Sequence, residues 1–203
     1  MELTYHKIPG WFNYTDSYAQ MASNLPDEAK IVEIGSFLGR STHFLCTAFW
    51  NANKENVKIY CIDTWEGSGK EHAHLDLSRM YETFRDNLRF FIGREMVVPI
   101  KGRSDDKEIL DRFENESIDA MSIDGSHTYD DVCDDIDNWW PKLKPDGIMI
   151  GDDYYLESVQ RAVADTFRKM NIDNRIYVNS ASERTWYVAK NGNAEGYYKG
   201  VPK

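Results

Sequence analysis

Two short stretches put acids where strands should end. In SIDGSH (122–127) an apolar run leads into Asp124, with His127 three residues on; in IGDDYY (150–155) a second run leads into Asp152 and Asp153. If the two runs are neighbouring strands, their tips lie about 4.8 Å apart on one sheet edge and three carboxylates converge. Unscreened, such a group pushes at least one carboxyl pKa upward; a divalent cation makes the arrangement favourable, and oxygen-only ligands suit Mg²⁺. The competing reading is that Asp152 and Asp153 merely cap a helix starting near Leu156. His127, with a reference pKa of about 6.5, is a candidate general base; its alternative is a histidine that only orders a helix start.

A second group stands earlier in the chain. In VEIGSFLGRS (32–41), Gly35 and Gly39 frame a strand-to-helix turn of the kind that lets backbone approach a ligand and presents free N–H groups. The pattern excludes two competitors. A dinucleotide fingerprint would need glycine at Phe37 and a small residue at Arg40, and a phosphate loop would need Gly-Lys-Ser/Thr one residue later. The next strand ends in YCIDTW, where Asp63 is placed to accept the hydroxyl hydrogens of a ribose; the alternative is a plain turn acid.

These residues need a scaffold that brings strand ends together. Strands are predicted at 30–35, 57–63, 96–101, 117–124, 147–152, 175–180 and 185–190, with helices around 40–52, 76–91, 105–114, 128–141 and 156–170. Strands alternating with helices imply an α/β, Rossmann-like single domain: a seven-stranded, mostly parallel sheet with helices on both faces. The last two strands, joined by a short polar turn, should form an antiparallel C-terminal hairpin. The domain is expected over 30–190. Before it lie an aromatic N-terminal segment and a short helix (1–29) capped by Thr15 or Asp16, and after it a Gly-rich, mobile tail (191–203).

The helix from Thr128 is the clearest. Tyr129, Val132, Cys133, Ile136, Trp139 and Trp140 make its apolar stripe, and Asp130, Asp131, Asp134, Asp135 and Asp137 are expected to form a solvated face without chemistry. Trp11, Phe12, Tyr14 and Tyr18 either roof an acceptor pocket or pack on the sheet. The loop at 67–74 is a candidate lid, and its His72 and His74 read as solvated rather than metal-bound.

Composition sets the outer limits. The chain has 203 residues, 41% hydrophobic, with a formal net charge of −10. That charge argues against nucleic acid as a partner, since surfaces that track phosphates need clustered Lys and Arg. No apolar run approaches the roughly 20 residues of a membrane span and no signal peptide opens the chain, so a soluble, cytoplasmic protein is expected. Cys46, Cys61 and Cys133 lack metal-ligand spacing and read as reduced core residues.

VEIGSFLGRS, CIDTW and IDGSHTYDDVCDDIDNWWPKLKPDGIMIGDDY, followed by a terminal hairpin, resemble class I S-adenosylmethionine-dependent methyltransferases over roughly residues 8–190. Within them the chain resembles the metal-dependent small-molecule O-methyltransferases, including macrolide-sugar enzymes and cephalosporin-biosynthesis relatives. The resemblance implies that Glu33, Gly35, Gly39 and Ser41 surround the methionine half of S-adenosylmethionine, that Asp63 holds its ribose, and that Ser104 contacts its adenine. It implies Mg²⁺ or another divalent cation on Asp124, Asp152 and Asp153, with His127 and Asp124 as the catalytic pair. Histidine at 127 resembles sugar-methylating relatives, where catechol-type enzymes carry lysine, so the implied acceptor is a hydroxyl of a sugar or sugar-bearing small molecule. An N-methyltransferase, a metal-independent enzyme and a non-catalytic cofactor-binding subunit remain as alternatives, and homo-oligomerisation stays open.

Overall fold

The computed structural model describes residues 1–2, 4–67, 76–179, 184–192 and 200–202, and the candidate lid with His72 and His74 lies outside them except for Gly67. The predicted strands are all present: β1 (Lys30–Ile34), β2 (Lys58–Asp63), β3 (Val97–Lys101), β4 (Ile118–Ile123), β5 (Leu143–Gly151), β6 (Tyr177–Asn179) and β7 (Trp186–Ala189). A short β8 (Gly200–Pro202), on what was read as the tail, adds an outer edge by pairing with β6. The sheet runs β3-β2-β1-β4-β5-β7-β6-β8. The first five strands are parallel and the last three antiparallel, so β7 lies between β5 and its hairpin partner β6.

Alternation along the strands builds two cores. Ile31 of β1 joins one apolar cluster and Val32 the other; Ala120 and Met121 of β4 divide in the same way, as do Ile148 and Met149 of β5. One face is covered by α1 (Thr15–Asn24), α2 (Arg40–Asn51), α3 (Met80–Asn87) and α4 (Arg89–Gly93), through residues such as Tyr18, Leu45, Phe84 and Phe91. The other is covered by α5 (Lys107–Leu110), α6 (Tyr129–Trp139) and α7 (Glu157–Lys169), through Ile109, Ile136, Trp139 and Phe167. The three cysteines are buried and free. Thr128 caps α6 by accepting from the Asp131 N–H, whereas α1 begins at Thr15 without a side-chain cap.

Register then decides where the site forms. Ile34 is opposite both Ile62 and Ile123, and Ile123 is opposite Gly151. The residues that follow, Gly35, Asp63, Asp124 and Asp152, therefore emerge side by side along one edge of the sheet.

Candidate functional site

A cavity of about 720 Å³ opens at that edge. Its wall is made by Gly35 and Phe37 of the first turn, Asp63 and Thr64 after β2, residues 102–104 after β3, residues 124–128 after β4, and Asp131 and Asp135 of α6.

Of the residues expected around a cofactor, Gly35, Asp63 and Ser104 line this cavity; Glu33, Gly39 and Ser41 stand behind it. Glu33 is fully buried, and its carboxylate accepts from the hydroxyls of Tyr18 (2.9 Å), Ser36 (2.7 Å) and Thr42. Those donors satisfy a charge that would be costly to bury alone, so Glu33 ties the turn to α1 and α2. Gly39 occupies the N-cap position of α2 at φ +85°, and Ser41 is buried in the first turn of that helix. Gly35 also has φ +85°, and a Cβ there would lie 2.0 Å from the carbonyl oxygen of Asp124. Only glycine lets the two strand tips approach so closely.

Phe37 takes a left-handed φ of +46° without being glycine. Its N–H donates to Asp63 Oδ2 (2.8 Å), its carbonyl accepts from Trp65 Nε1 (2.8 Å), and the Trp65 N–H donates to Asp63 Oδ1 (2.7 Å). Asp63 is thus oriented by two backbone donors, one on each oxygen.

Beyond β4 the carboxylates converge. Ligand atoms of Asp124, His127 and Asp153 lie within 4.8 Å of one another. His127 Nε2 is 2.8 Å from Asp153 Oδ2, and Arg184 donates to Asp153 Oδ1 at 3.2 Å. Asp153 is buried at φ +56°, a strained conformation for a side-chain-bearing residue. Burial raises its pKa, but the hydrogen bond and charge of His127 and the charge of Arg184 outweigh it and hold the carboxyl below its usual range. Asp152 stands beside this group, with Thr185 3.5 Å from its Oδ1. Burial, then the charge of Asp153, pushes Asp152 up to about 6. Asp124 is raised well above the carboxylate range by burial and by Asp152, while the Tyr14 hydroxyl, donating at 2.8 Å, opposes the shift. The helix-cap alternative is not what forms: the N-cap of α7 is Leu156, with no side-chain cap bond.

Residues 32–154 match the family described as "Methyltransferase domain". The chain belongs to this family. A relative of the methyltransferase domain is the uncharacterized protein y4gI of Sinorhizobium fredii (strain NBRC 101917 / NGR234), 31% identical over 121 residues, which are 60% of this chain. The chain spans only 12% of that relative's length. Among solved structures, the O-methyltransferase NovP superposes with TM-score 0.62 at 18% identity, covering 87% of this chain and 78% of NovP. The methyltransferase MycE of the mycinamycin pathway, solved with Mg and SAH, superposes with TM-score 0.52 at 16% identity, covering 94% of this chain and 51% of MycE. At these identities the likeness shows the shared fold.

The methyltransferase domain also holds site residues that periodicity misassigned. Asp130, Asp134 and Asp137 are exposed as expected, but Asp131 and Asp135 face the cavity, and Asp135 is only 4% exposed. The two acids are four residues apart on α6, but so are the exposed Asp130 and Asp134, so spacing alone does not mark them. Asp131 accepts from Ser126 (2.6 Å) and Thr128 (2.7 Å) and sits 3.4 Å from Arg103, and the two hydroxyls foremost hold its pKa below the usual range. Burial drives Asp135 to about 7 against a hydrogen bond from Ser104. Tyr14, one of the aromatic residues expected either to roof an acceptor pocket or to pack on the sheet, donates its hydroxyl to Asp124. It reaches the site because Phe12, Tyr14 and Tyr18 pack into the core, leaving Trp11 exposed. Among the described helices none is long and apolar enough to cross a membrane.

Proposed function

We propose that this domain transfers a methyl group from S-adenosylmethionine to a hydroxyl of a small molecule, a sugar or sugar-bearing metabolite being the acceptor class that His127 favours. The observation that carries the reading is the single cavity joining the Gly35 turn and Asp63 at one end to Asp124 and His127 at the other. A cofactor with its ribose on Asp63 and its sulfonium near Gly35 would hold its methyl group towards the acidic cluster. The S–CH₃ bond breaks as the acceptor O–CH₃ bond forms, and the hydroxyl proton must leave. His127 is the group we assign to accept it, with Asp153 orienting the imidazole and stabilising its charged form.

The acids fit a divalent cation. Asp124 and Asp152 both have pKa values raised first by burial and then by a neighbouring carboxylate, Asp152 in the case of Asp124 and Asp153 in the case of Asp152, the condition that a bound cation relieves. Asp124 and Asp153 would hold the ion, with Asp152 or His127 completing the set; the imidazole lets Mn²⁺ or Zn²⁺ compete with Mg²⁺. When bound, such an ion would lower the acceptor hydroxyl's pKa and fix its position. A metal-independent reading rests on the His127–Asp153 contact, which by itself forms a base and its orienting acid.

The test is formation of S-adenosylhomocysteine from S-adenosylmethionine across a panel of sugar, phenol and amine acceptors, with EDTA and with added Mg²⁺. Turnover of hydroxyl acceptors that EDTA abolishes supports the metal-dependent reading. Full turnover in EDTA selects the metal-independent one, methylation of amines alone rejects O-transfer, and absence of transfer to any acceptor, with cofactor bound, leaves a binding subunit.

A further inference from the structure

We infer that Asp135 reads the base of the cofactor, its carboxylate accepting the exocyclic amino hydrogen of adenine and so selecting a 6-amino purine. The inference rests on the S-adenosylmethionine reading above and adds a specificity-determining residue to it.

The geometry follows the sheet edge outward. Asp63 ends β2, and the segment 102–104 follows β3, the next strand out. A nucleoside with its ribose on Asp63 and its sulfur side towards Gly35 has its base directed to this outer part of the cavity. The cavity wall includes Ile62 and Met80, apolar side chains suited to the faces of a flat ring, and Asp135, which stands beside Ser104 of that segment. Ser104 is held by its carbonyl, which accepts from Trp139 Nε1 at 3.0 Å, and its side chain stands beside Asp135, where hydrogen bonding from it opposes the upward shift of that acid. Asp135 is only 4% exposed yet lines the cavity, and a carboxylate has about four acceptor sites, more than one hydroxyl can fill. A ligand N–H is the group that would complement it. The other acid on this side of α6, Asp131, is already engaged by Ser126, Thr128 and Arg103, which leaves Asp135 as the acid facing the base. An adenine offers a donor at position 6, whereas a hypoxanthine turns an acceptor oxygen against the carboxylate.

The experiment is calorimetric titration of the full chain with S-adenosylhomocysteine and with its 6-oxo analogue, S-inosylhomocysteine. The wild type should prefer the adenosyl compound by about 10- to 100-fold, the worth of one charge-assisted hydrogen bond. Asp135→Asn, whose amide can donate to a 6-oxo group, should bring the two affinities towards parity, mainly by strengthening inosyl binding. A residue that only supports the fold would weaken both ligands together and leave their ratio unchanged. Equal affinities in the wild type overturn the inference without any variant, and an undiminished preference in Asp135→Asn overturns it as well. If neither compound binds the wild type, the cofactor assignment falls with it; if the adenosyl compound binds without discrimination, only the role of Asp135 falls.

Discussion

Asp153 engages a nitrogen on each oxygen, His127 Nε2 on one and the Arg184 guanidinium on the other, and this arrangement couples the proposed base to the acidic cluster. His127→Ala should lower kcat by about 10² to 10⁴ while leaving cofactor affinity unchanged, read from initial rates and from titration of S-adenosylhomocysteine. Asp153→Asn should lower kcat too, and the double variant should be little worse than the more damaged single one, because the two side chains act as a unit. An undiminished kcat in His127→Ala would remove it from the chemistry. Asp63 answers to a different assay. Its oxygens are pre-aimed by the Phe37 and Trp65 N–H groups, so Asp63→Ala should weaken S-adenosylmethionine binding by about 1.5 to 3 kcal/mol, the range for hydrogen bonds to a charged group. An unchanged dissociation constant would reject the ribose assignment.

At the level of elements, the site depends on how closely the β1 and β4 tips approach. Gly35→Ala would bring a methyl group to 2.0 Å from the Asp124 carbonyl at φ +85°, so the backbone must shift. A loss of about 3 kcal/mol or more is expected, measurable as a lowered urea midpoint. An unaltered midpoint would mean that the tips are not held as described. Most elements were legible from their periods, because alternation and the 3.6-residue repeat reflect burial on one or two faces. The departures have local causes. The segment at 76–91 breaks into a 3₁₀ turn (Leu77–Arg79), α3 and α4, and α5 keeps only Lys107–Leu110 of the expected 105–114. β5 begins at Leu143 and runs through Lys144-Pro145-Asp146-Gly147, which reads as a turn; the β4–β5 register shifts between Ile118 and Ala120 to accommodate it.

For the whole molecule, burial of Asp135 makes stability depend on pH. Its folded pKa of about 7 lies above the unfolded value of about 3.9, so the folded state holds the proton more tightly. That stabilisation is fully present below about pH 3.9 and is lost as pH rises through about 7. Without ligand, Asp135→Asn, which mimics the protonated acid, should match the wild-type melting temperature near pH 4 and exceed it at pH 8; equal values at pH 8 would reject the buried charge. Mg²⁺ should raise the melting temperature of the wild type more at pH 8 than at pH 5, since carboxylates must be deprotonated to bind it. The residues alone determined the α/β architecture, the terminal hairpin and the strand-end positions of Gly35, Asp63, Asp124, Asp152 and Asp153, because periodicity and strand-end acids are properties of short stretches. Tertiary structure alone decided that Glu33 is enclosed by Tyr18, Ser36 and Thr42, that Tyr14 reaches Asp124, that His127 meets Asp153, and that Asp135 turns inward while Asp134 and Asp137 face water. Each of these depends on which distant segment packs against a polar group, and burial of a charge is set by such neighbours rather than by its position in a repeat.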